Sequence, residues 1–197
     1  MAYSHFKLSQ VKEKYGLLEK KEDLFPNLVA LEPSSWLNET LEMAVQMPLN
    51  SEKAKSEFII SPILLEAWKL CEKSFTIFSG ATLDVENGLT GECDFILSGS
   101  AQSQEIEAPI FTLIEAKDDN LRSGYGQCLA QMYAAQLFNE KKGHSTPTIY
   151  GCVTTGEDWQ FLKLHEKTVY FDDGRFYLSN VDKILGALKT IVQFYVK

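Results

Sequence analysis

The chain has 197 residues and a formal net charge of −8, with 45% hydrophobic and 23% charged residues. That length fits one domain with a sizeable core, and the acidic balance excludes a general nucleic-acid coat, which would be basic. No apolar run approaches the roughly 20 residues of a membrane helix, and the opening MAYSHFKLSQVKEKYG lacks the apolar segment of a signal peptide, so a cytoplasmic protein with no membrane partner is expected.

In chain order, residues 6–15 read as a helix and EKKEDLFPNL as a charged turn. PSSWLNETLEMAVQM reads as a short helix capped by Ser34 or Ser35. Residues 1–50 thus form a helical prefix to an α/β core over 51–197, the whole being a single domain. SEKAKSEFIISPILLEAWKL is a helix with Ser51 as N-cap, kinked or restarted at Ser61-Pro62. Three strands follow, FTIFSGATLDV, GECDFILSG and PIFTLIEAK, separated by turn-forming segments such as Asn87-Gly88. QCLAQMYAAQLFNEKK is a helix, TIYGCVTTG a strand, and DWQFLKLHEKTVYFDDGRFYLS a meander with a turn at Asp173-Gly174. The chain closes on an amphipathic helix with Ser179 and Asp182 as a capping box and Ile184, Leu188, Ile191 and Tyr195 on one face. This order predicts a mixed sheet with flanking helices. Cys71, Cys93, Cys128 and Cys152 form no CxxC pair and sit in apolar neighbourhoods, so free buried thiols are expected rather than disulfides or zinc.

Chemistry concentrates at IFTLIEAKDDN, where an apolar strand finishes in Glu115 and Lys117. Residues two apart in a strand share a face. Asp94 opens an apolar strand 115 − 94 = 21 residues earlier, enough for a strand, a turn and a return, so Asp94 and Glu115 can meet on neighbouring strands. Two carboxylates suit Mg²⁺, with Mn²⁺ as substitute, through hard oxygen ligands, and the Ala116 carbonyl is a further ligand candidate. A metal there polarises a phosphoryl oxygen, and Lys117 orients the attacking water or stabilises developing charge. The plainer alternatives are a solvated strand-end ion pair, worth little, and, for Asp94, a turn cap. Gly124 and Gly126 lack the Lys-Ser/Thr of a phosphate loop and read as a turn into the following helix. Arg122, Lys141 and Lys142 are either phosphate contacts or ordinary surface charge.

Asp94 and the Glu115-Ala116-Lys117 run, with a helix beginning GQCLAQM behind them, resemble the PD-(D/E)XK phosphodiesterase superfamily, the restriction-endonuclease-like fold. The resemblance spans roughly residues 50–165 and includes IYGCVTTGEDWQFLKL, which is similar to the strand pair after that helix in bacterial members. Cys93 stands before Asp94 where the family motif carries Pro. The resemblance implies a mixed central sheet flanked by helices and a Mg²⁺-dependent nuclease acting on DNA or another nucleic acid, with a homodimer common among such enzymes. It assigns metal ligation to Asp94, Glu115 and Ala116, and catalysis to Lys117. Glu57, on the helix before the strands, matches the family's N-terminal acidic residue and becomes an accessory ligand, although it can also pair with Lys53. Gln127 and Gln131 share a helical face; Gln127, at the helix start, aligns with the family glutamine and would orient Lys117 or the scissile phosphate. The alternative is a catalytically silent module of the same fold that binds nucleic acid or protein.

Overall fold

The computed structural model describes residues 2–85, 88–144 and 147–196; the expected turn residue Asn87 lies outside them. The centre of the molecule is β4 (Ile110–Ala116), buried at every residue, as a continuous apolar run between two covered faces should be. It pairs antiparallel with β3 (Glu92–Ser98) and parallel with β5 (Thr148–Thr154). Beyond β3 lies β2 (Thr76–Thr82), and beyond β5 lie β6 (Asp158–His165), β7 (Thr168–Asp172) and β1 (Leu18–Glu22). The short β8 (Phe176–Tyr177) pairs the start of β6. Two parallel pairs, β1–β7 and β4–β5, sit in an otherwise antiparallel sheet of eight strands.

Helices cover both faces. On one, α5 (Leu121–Lys141) and α1 (Leu8–Tyr15) close a core around Ile96, Leu113, Cys128, Val153 and Leu162. On the other, α2 (Ser35–Ala44), α4 (Ser61–Leu70) and α6 (Val181–Tyr195) close a second core around Phe95, Ile114, Trp159 and Phe161. This mixed sheet between helical layers is the architecture the sequence resemblance implied. All four cysteines are free and buried. No helix among the described residues is long and apolar enough to cross a membrane.

Ser34 and Ser51 cap their helices as expected, accepting from Leu37 N and Ala54 N. Several local expectations change. The charged segment after α1 is not a turn: residues 18–22 form an edge strand whose backbone pairs with β7 while its side chains face solvent. Exposed lysines on an edge strand discourage further pairing, and they also hide its strand pattern in the sequence. α5 begins at Leu121 behind an Asn120 cap, so Gly124 and Gly126 lie inside it. A Cβ on Gly124 would stand 2.6 Å from Val153 Cγ1, and one on Gly126 would stand 2.2 Å from the Phe6 carbonyl oxygen. The glycines serve close packing. α6 is capped at Asn180 without a side-chain bond, so the Ser179–Asp182 box does not form.

Two irregularities position side chains. Between α3 (Glu52–Lys55) and α4, residues Ser56–Ile60 make a π turn in which Ser61 N–H donates to Ser56 O. Pro62 has no N–H for the Phe58 carbonyl and its ring crowds that turn, so the helix widens by one residue. The extra residue rotates the preceding turn by about 100°. The second lies opposite β6. The register pairs Leu162 with Phe171 and Trp159 with Phe176, so Gln160 and Phe161 face four residues, Asp172 to Arg175. The expected Asp173-Gly174 turn is therefore a bulge in a chain that keeps running along β6, and bulges re-aim side chains.

Candidate active site

The β3–β4 register, Phe95 opposite Ile114 and Ile96 opposite Leu113, continues to set Asp94 opposite Glu115. The Glu115 side chain faces α5, where Gln131 meets it. At this strand end the ladder is replaced by a side-chain bond: Ala116 N–H donates to Asp94 Oδ2 at 2.7 Å. Glu115 is 1% exposed. Its Oε1 meets Lys117 Nζ at 2.8 Å, and its Oε2 accepts from Gln131 Nε2 at 2.9 Å. Lys117 Nζ also lies 3.8 Å from Glu52 Oε1, and its own backbone N–H is held by Thr154 O.

The electrostatics follow from that crowding. Burial, and then the Asp94 charge, push the Glu115 carboxyl up to about 7 against the pull of Lys117 and Gln131. Asp94 is also raised, chiefly by burial, with the Ala116 N–H and Lys117 opposing. For Lys117, burial works downward, but Glu115, Glu52 and Asp94 outweigh it and hold the ammonium above its ordinary range. The cluster is short of positive charge.

Of the residues singled out in sequence, the fold brings together Asp94, Glu115, Ala116 and Lys117. Glu57 is not among them: its carboxylate is exposed and 3.9 Å from Lys53. The π turn rotates Glu52 and Lys55 toward the β4 end instead, with Lys55 Nζ donating to Asp118 O and 3.7 Å from Asp119 Oδ1. Gln127 is half-buried, and the glutamine on Glu115 is Gln131, one turn further along α5. The early helix start behind Asn120 accounts for that shift. Neither the π turn nor the α5 start has a sequence signal beyond Pro62 and Asn120.

Among the described residues no three His, Cys, Asp or Glu side chains assemble into a ready metal cage. Mg²⁺ does not need one, since it is commonly held by one or two carboxylates plus substrate phosphates. The hard-oxygen pair Asp94 and Glu115 fits that donor set, and Gln131 Oε1 is a buried acceptor with no hydrogen-bond partner among the described residues. No family model and no curated protein sequence matches the chain. A solved DrdV–DNA complex aligns over 80% of this chain at 15% identity and a TM-score of 0.49, and the chain spans 13% of the length of that protein. The fold and the site stand on the chain's own residues.

Proposed function

We propose that the protein is a Mg²⁺-dependent nuclease that hydrolyses a nucleic-acid phosphodiester bond, with DNA as the first substrate to test. The observation that carries this reading is the juxtaposition of Asp94 and Glu115 across adjacent strands with Lys117 Nζ 2.8 Å from Glu115. Asp94, Glu115 and the Ala116 carbonyl would hold the ion, which supplies Lewis-acid polarisation of a phosphoryl oxygen. Lys117 holds a proton-rich ammonium beside the reacting phosphate, orienting water and countering charge that develops on oxygen. Gln131 and Glu52 position Glu115 and Lys117 through the contacts they make.

Lys117→Ala should stay folded and lose about 10²–10³ in cleavage rate, the usual cost of one positioned electrostatic donor. Single-turnover cleavage of a labelled DNA duplex and its single strand, with Mg²⁺ or with chelator, reads this directly. Equal cleavage by variant and parent removes Lys117 from the mechanism. The second reading, a silent module that binds without cutting, draws on one observation: both Glu115 oxygens already have protein partners. A parent that binds DNA and cleaves nothing under Mg²⁺ or Mn²⁺ selects it.

A further inference from the structure

The chain contains two arginines, Arg122 and Arg175, 53 residues apart in sequence (175 − 122). Both line one pocket of about 440 Å³ on the α5 side of the sheet. Arg122 stands in the first turn of α5, and Arg175 comes from the bulge opposite β6. Gln160 holds that bulge in place, its amide donating to Asp172 O at 3.0 Å and to Gly174 O at 3.3 Å. Tyr125 stands near both arginines: burial pushes its hydroxyl up, their charges pull it down against that push, and its ring packs edge-on against Phe171 at 5.0 Å.

The charges of this pocket do not cancel internally. Of its acids, Glu19 is paired with Lys12 at 2.6 Å, and Asp172 accepts from Leu24 N at 2.8 Å. Among the described residues neither arginine is in an ion pair, nor is Lys21 at the pocket rim. Three cations, Lys21, Arg122 and Arg175, therefore stand against two carboxylates that have no cationic partner among the described residues, Asp172 and Asp173, in a protein whose net charge is −8. A guanidinium fork without a carboxylate is suited to bidentate phosphate recognition. The location adds to this. Glu115 is in register with Val153, and Val153 with Gln160, so the pocket floor lies two strands from the candidate active site. Two strand spacings are roughly 10 Å, within a few nucleotides of a bound strand.

We infer that Arg122 and Arg175, with Lys21 and Tyr125, form a phosphate-binding site that holds a backbone phosphate of the nucleic acid beside the one to be cut. The nucleic-acid source rests on the nuclease reading; the phosphate chemistry does not.

The test is binding without metal. Fluorescence anisotropy of a labelled oligonucleotide in chelator is measured across a salt series for the parent, Arg122→Ala, Arg175→Ala, the double variant, and Lys183→Ala as a charge control on α6. A parallel arm follows the thermal shift of each protein with inorganic phosphate. The double variant should bind the oligonucleotide roughly tenfold more weakly, and its log–log salt slope should fall by about 0.7–0.9 for each phosphate no longer neutralised, while Lys183→Ala stays like the parent. Arg175→Lys keeps the charge but loses the fork, and should recover only part of the affinity. Weaker binding in the oligonucleotide arm identifies a backbone phosphate as the source, and a diminished shift in the inorganic-phosphate arm alone identifies a free phosphate group. Parent-like behaviour of the double variant in both arms overturns the site. Because no step requires cleavage, a parent that binds through these arginines and never cuts refutes the nuclease reading and leaves this site standing.

Discussion

Two glutamates in this molecule are each 1% exposed, Glu66 on α4 and Glu115 on β4, and their surroundings drive them in opposite directions. Burial works upward on Glu66, but the Ser34 N–H at 2.9 Å and Lys69 at 3.2 Å outweigh it and hold the carboxyl below its ordinary range. That is a structural carboxylate, tying the α2 cap to α4. Glu115 has Lys117 and Gln131, yet Asp94 stands across from it, and burial with that like charge pushes it up to about 7. The difference lies in how strongly burial acts on each carboxyl, in the donors each one has, and in one neighbouring acid. A fold has no stability reason to oppose two carboxylates at a buried strand end, whereas a cation-binding site requires that opposition.

The contrast has a sign in pH. A carboxyl raised in the folded state binds its proton more tightly there than in the unfolded chain. The stability Glu115 contributes is full below its ordinary 4.5 and is lost as pH rises through about 7. At about 1.4 kcal/mol per pK unit, the loss between pH 4.5 and 8 is on the order of 3 kcal/mol in metal-free protein. Urea unfolding across that range should show it, and Glu115→Gln should flatten the slope. An unchanged slope in the variant would mean that the Glu115 carboxyl is not raised in the folded protein. Glu66 runs the other way, its contribution present above its unfolded pKa and lost as pH falls through the lowered folded one.

A smaller effect comes from breaking the structural carboxylate. Glu66→Gln should cost about 1–3 kcal/mol at pH 7, the range for disturbing a buried charge-assisted bond, with no change in the response to metal. Urea midpoints with and without Mg²⁺ check both halves; a Glu66→Gln protein as stable as the parent would remove the distinction between the two glutamates. Smaller again in relation to the site is Gly126→Ala. Its Cβ meets the Phe6 carbonyl oxygen at 2.2 Å, so overpacking should cost about 1–3 kcal/mol. At Gly174 the nearest atom to an added Cβ is Asp172 Oδ2 at 3.6 Å, and Gly174→Ala should be nearly neutral. Equal melting temperatures for the two variants would mean that α5 is not clamped against the residue 6–8 segment.

The sheet and the α5 face were legible because their signals are local. LIEAK alternates, ECDFIL begins with its acid, and the apolar runs are long enough to mark buried strands. What sequence did not show depends on backbone accommodation. β1 carries solvent-facing lysines and glutamates, so nothing apolar alternates in it. Glu57 shares a helical face with Ile60 and Leu64 only if the helix is regular, and the π turn before Pro62 hands that orientation to Glu52. Gln131 replaces Gln127 on Glu115 because two glycines that read as a turn pack inside a helix. Arg122 stayed open between a phosphate contact and surface charge because its companion, Arg175, arrives from a bulge whose Asp-Gly pair resembles a hairpin turn.

The central claim is that Asp94 and Glu115 repel until a cation joins them, and the thermal response to divalent metal tests it most directly. An ion that binds only the folded protein adds about 2.7 kcal/mol of stability at a hundred times its Kd. Titrating Mg²⁺ and Mn²⁺ at pH 8, the parent should melt progressively higher. Glu115→Gln should lose most of that rise, and its metal-free form should melt at or above the metal-free parent, because one of two repelling charges is gone. Melting curves of parent and variant that metal leaves equally unmoved would contradict the metal site, and the nuclease reading with it.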